Sequence, residues 1–154
     1  MKAFNFPLES LRTLRKQREQ VAQQRYARAL VLCDGAARVL QLAEEELKAG
    51  HAMLVGELQT GATAGRIVSL RTWCTVLEIR RNECSAALAE AKRQANDAFS
   101  LMTAAARERE ALDRFHDKSH RIWQRAFQTG EQKMFDELAV QHQTAPSFKK
   151  NQMN

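Results

Sequence analysis

Ile67, Leu70, Cys74, Leu77, Arg81, Cys84, Leu88, Ala91, Ala95, Ala98, Met102 and Ala105 follow one another at alternating steps of three and four, and among them Arg81 alone is charged. A repeat of about 3.5 residues keeps one narrow stripe turned toward a partner along a left-handed coiled coil. A chain carrying it reads as a long helical rod, and its function lies in what the rod touches.

The rest of the chain offers that stripe a mate. Ala22, Tyr26, Ala29, Cys33, Ala36, Leu40, Ala43, Leu47, Gly50 and Leu54 form a second seam of the same spacing. Its many alanines permit close approach but bury less area than Leu or Ile, so the expected pairing is specific without being especially stable. Leu8, Leu11 and Leu14 extend an apolar face toward the N-terminus, with Val21 offering an alternative register.

The two prolines are Pro7 and Pro146, so nothing of that kind interrupts the residues between them. Pro7 suits a first helical turn, where its missing donor has no intrahelical partner. Gly56, Gly61 and Gly65 mark the hairpin connection. The expected fold is all-α: a long antiparallel two-helix coiled-coil hairpin, with helices over about residues 8–57 and 66–140 and the C-terminal one longer. At about 1.5 Å per residue they measure about 75 Å and 110 Å. One helical domain over 1–140 is followed by a flexible tail over 141–154, where Pro146, Lys149 and Lys150 break the periodicity.

A reversal near Thr60 and Gly61 sets Leu40 opposite Arg81 and brings Leu8 to about Asp113 and His116. Residues beyond about His120 then lack a local mate, yet they carry Ile122, Trp123, Phe127, Met134, Phe135 and Leu138. Such a helix either folds against residues 4–14 or inserts into another protein, and the second reading is favoured. Trp123 and Phe127, four apart, can anchor one face in a partner groove, or lie beneath Phe4 and Phe6.

No catalytic set emerges. Asp113 and Asp117 share a helix face without a predictable cleft, and no phosphate-binding glycine motif is present. His116 and His120 also share a face, but two imidazoles without further ligands read as solvated surface rather than a metal centre. No metal or cofactor is expected.

The formal charge of +6 favours anionic partners. Lys2, Arg12, Arg15, Lys16, Arg18, Arg25, Arg28 and Arg38 outnumber the carboxylates of the first forty residues, but no aromatic interleaving accompanies them. With Glu44, Glu45 and Glu46 farther along, this argues against nucleic acid as the principal partner. Cys33, Cys74 and Cys84 read as small buried hydrophobes in a reducing compartment. No secretory hydrophobic segment and no eighteen-residue apolar span occurs, so the cytosol is the expected location, with peripheral membrane attachment still open. A basic nucleic-acid module and a structural dimerisation rod stand as alternatives to a protein-binding rod.

The opening Phe4-Asn5-Phe6-Pro7-Leu8-Glu9, followed by Leu11, Leu14 and Arg15, and the closing Gly130-Glu131-Gln132-Lys133-Met134-Phe135-Asp136-Glu137-Leu138-Ala139 resemble the two ends of the flagellar FliJ family. The resemblance covers nearly the whole chain. It implies a soluble, noncatalytic component of the flagellar type III export apparatus, at the cytoplasmic face of the membrane. Members of that family form antiparallel coiled coils similar to the stalk of rotary ATPases. They engage the export ATPase ring and the export-gate membrane protein, and some escort export chaperones. The resemblance further implies that the end carrying both termini enters the ring, bringing Leu8, Leu11, Leu14, Ile122, Trp123 and Phe127 near that contact.

Overall fold

The computed structural model describes the backbone of residues 3–144 and the side chains of residues 3–142. Two helices account for nearly all of it: α1 over Glu9–Thr60 and α2 over Ala64–Thr144. Both are longer than the spacing of apolar residues suggests. Of the expected tail, residues 141–144 continue α2, and 145–154 lie outside the described residues.

Local chemistry explains each helix end. Pro7 sits not in the first helical turn but in the turn before it, where the Glu9 N–H donates to the Phe6 carbonyl at 3.2 Å. The first helical bond runs from the Arg12 N–H to Leu8, and Glu9 places its carboxylate in the first turn, where the helix dipole favours it. At the other end α1 passes through Gly56 and stops at Thr60. Gly61 adopts φ +77°, and the Ala62 N–H returns to the Glu57 carbonyl at 3.1 Å. A left-handed glycine followed by this long backward bond is the Schellman ending of a helix. Thr63 then accepts the first bond of α2 from the Ile67 N–H.

The chain divides into two compact units. The larger spans Leu14–Glu108, and in it both seams are realised. Every residue of the two 3.5-periodic stripes is buried or half-buried, and Ala43, Gly50, Cys74, Leu77 and Ala95 are the buried ones. Tyr26 meets Phe99 at 5.4 Å between ring centroids. Arg80 Nη1 donates to Glu46 at 2.9 Å, and His51 Nε2 lies 3.4 Å from Glu78. Across the turn Arg66 pairs with Glu57 at 2.8 Å, and that bond raises the arginine's pKa.

Two details of the helices depart from expectation. Arg81 lies beside Glu44, Leu47, Lys48 and His51, about one helical turn from its anticipated place opposite Leu40. Its Nε is buried without a partner. Toward the N-terminal end of α1, the leucines do not continue the seam. Arg12, Arg15 and Glu19 are half-buried, whereas Leu8, Leu11 and Leu14 remain 37, 36 and 41% exposed. Stepping back from Ala22 at the seam's own spacing leads to Glu19, Arg15 and Arg12. Leu11 and Leu14 sit one residue away from those positions, about 100° around the helix.

Candidate partner-binding site

The smaller unit combines residues up to Thr13 with those from Arg109 onward. Its organising element is the non-helical segment before Pro7. A residue preceding proline is held extended, and here that geometry lays Phe4 and Phe6 along α2. Phe6 is 5% exposed, packed 5.8 Å from Phe115 and 5.0 Å edge-on to His116 between ring centroids. Phe4 meets His116 at 5.6 Å, His120 at 4.9 Å and Trp123 at 5.8 Å. Edge-to-face contacts at these distances exceed simple area burial in strength.

Along α2 the rings continue as a ladder. His116 and His120 stack in parallel 6.3 Å apart, His120 is 5.9 Å from Trp123, and Trp123 is 5.3 Å from Phe127. The two histidines are therefore not the solvated surface expected of them; Phe4 and Phe6 cover them. His116 Nδ1 is engaged at 3.2 Å with Asp117, and no group of three or more metal-ligating side chains occurs among the described residues.

A charged clamp fixes the unit next to the ladder. Arg12 Nε donates to Asp113 Oδ1 at 2.7 Å, and Arg109 Nη1 donates to Oδ2 at 2.8 Å. The Arg12 bond is the main cause that holds the Asp113 carboxyl below its ordinary pKa; partial burial opposes it and Arg109 reinforces it.

The anticipated contact residues fall into three settings. Trp123 is half-buried beneath Phe4, so α2 keeps a local partner past His120. Phe127 is half-buried with Trp123 as its ring neighbour. Ile122 is 59% exposed, as are Met134, Phe135 and Leu138 at 55, 64 and 45%. Leu8 and Leu11 belong to this unit, and Leu14 to the larger one. Phe4 over Trp123 realises the alternative that set these rings beneath the N-terminal phenylalanines, whereas the packing of Phe6 on Phe115 and His116 and the clamp of Arg12 escaped the sequence reading. The signal available for the first was the alternation of Phe4 and Phe6 before a proline, opposite histidines spaced by one helical turn.

What the arrangement offers is contact surface: an aromatic ladder covered at one end and bare apolar side chains beyond it. No curated protein and no solved structure matches the chain. Residues 4–145 match the profile of the family described as Flagellar FliJ protein, which takes in the Phe4 and Phe6 segment, both seams and the ladder. With nearly the full length matched and the helical pairing in place, the chain belongs to the flagellar FliJ family and has a role in flagellar protein export.

Proposed function

We propose that this protein is a noncatalytic stalk of the flagellar type III export apparatus that docks into the export ATPase ring through the ladder end of α2. The observation that carries this reading is the run from Trp123 to Phe127, with exposed Ile122 beside it, on a chain of the FliJ family. Aromatic side chains that are partly ordered before binding make good anchors, because little rotamer freedom remains to be lost. Leu8 and Leu11 add apolar area to this contact. Leu14 is offered separately by the larger unit.

The export-gate membrane protein and export chaperones are the partners assigned to the larger unit. It carries a groove of about 450 Å³ whose lining includes Leu14, Val21, Ala98 and Leu101, rimmed by Arg18 and Arg25. Nucleotide hydrolysis belongs to the ring. The stalk biases its conformations, which requires unequal affinity for them. The protein works in the cytoplasm, peripherally at the membrane face of the export apparatus.

Binding of the purified chain to its cognate ATPase hexamer tests the reading. The double variant Trp123→Ala, Phe127→Ala should retain helicity and bind at least about tenfold more weakly. Undiminished binding by the folded double variant rejects the contact.

A further inference from the structure

We propose that the outward side of α2 between Arg114 and Arg125 is a docking surface for an anionic lipid bilayer. The inference goes beyond the ring contact and does not depend on it; the two surfaces share Ile122, so bilayer docking and ring docking are alternative states of the chain.

Arg114, Lys118, Arg121 and Arg125 recur at steps of four, three and four, so at about 100° per residue all four fall within about 60° of arc. Phe115 and Ile122, 49 and 59% exposed, lie on the flank of that row one heptad apart. The cations and Ile122 line a shallow depression of about 410 Å³ whose one carboxylate, Asp117, is engaged by His116. Among the described residues Arg114 makes a loose 3.8 Å pair with Glu110, while Lys118, Arg121 and Arg125 make no ion pair. Four positive charges are thus presented together in a depression that holds one carboxylate, that of Asp117.

The chemistry of the six side chains selects the partner. Phosphate-rich nucleic acid would satisfy the cations and leave Phe115 and Ile122 in water. An acidic protein would have to supply walls for both apolar side chains, since the depression is shallow and formed by one helix alone. A bilayer of anionic lipids provides headgroup phosphates for the row and an acyl boundary for the flank, and it demands no shape complementarity. The contact is peripheral: among the described residues no helix is long and apolar enough to cross a membrane.

Sedimentation of the full chain with phosphatidylcholine vesicles, with and without phosphatidylglycerol, tests the proposal. Binding is expected only with phosphatidylglycerol and should fall at high salt. Each cation near such a surface changes partitioning about fivefold, so Arg121→Gln with Arg125→Gln should lower it on the order of 30-fold. A control pair of equal charge in the larger unit, Arg71→Gln with Lys92→Gln, should stay close to the parent. Ile122→Ser should weaken binding without changing charge, and it decides the matter if the glutamine pair loses helicity. Three results overturn the proposal: no binding to phosphatidylglycerol vesicles, equal loss in the control pair, or unchanged vesicle binding by the glutamine pair with loss of its binding to polyglutamate or duplex RNA. Because no ATPase is present, neither success nor failure bears on the ring contact.

Discussion

Arg12 and Asp113 meet at 2.7 Å although 101 positions separate them in sequence, and Arg109 takes the second carboxylate oxygen. This clamp ties the first turn of α1 to α2 in the smaller unit. Because the bonded carboxylate is held below its ordinary pKa, its contribution is complete above the unfolded value, about pH 4, and disappears as pH falls through the lowered folded value. Asp113→Asn should cost about 1 kcal/mol at neutral pH and flatten the acid limb of stability. Thermal unfolding followed by circular dichroism between neutral and strongly acid pH checks both.

Phe6 is the most enclosed aromatic side chain of the smaller unit, at 5% exposure. Phe6→Ala should destabilise that unit by about 3 kcal/mol and free the segment before Pro7. Amide hydrogen exchange at residues 109–123 should accelerate, while exchange near the hairpin turn should not change.

Arg81 places a buried, unpartnered Nε on the seam of the larger unit. Arg81→Met keeps an unbranched stem and removes the unsatisfied donor, so it should stabilise the chain by about 1 kcal/mol. A higher denaturant midpoint at unchanged slope would confirm it; a lower midpoint would show that the guanidinium holds the seam.

Two helical glycines differ in opposite ways. A Cβ at Gly35 meets nothing within 4 Å, so Gly35→Ala should gain about 0.5–1 kcal/mol from helix propensity alone. At Gly50 the same atom would lie 3.0 Å from Leu77 Cδ1 and 3.6 Å from Cys74 Sγ. Gly50→Ala should forfeit most of that gain, and Gly50→Val should lower the melting temperature outright.

Periodicity made the pairing legible. From Ala22 to Leu54 and from Ile67 to Ala105, each position assigned to a seam is enclosed. The register was less legible, because Gly61 and Ala62 end α1 through a Schellman turn and Thr63 opens α2. The reversal thereby falls slightly later, which displaces each facing pair by about one helical turn and moves Arg81 from the level of Leu40 to that of Glu44. The leucines at 11 and 14 misled for a related reason: composition suggested an inward face, but phase carried over from the alanine seam turns Arg12 and Arg15 inward instead, while Leu8 keeps that phase but lies in the turn before α1. At the ladder, residue spacing exposed Trp123 and Phe127 as a pair, yet gave no measure of how far an extended segment with two phenylalanines could reach.

The inward arginines have a consequence for how this protein responds to its medium. Arg12 grips Asp113 and Arg15 grips Glu108, while Leu11 and Leu14 face outward. Added electrolyte weakens the first kind of contact and spares the second. In brine, therefore, this stretch of α1 should cling less firmly to its own second helix while keeping its appetite for a greasy stranger.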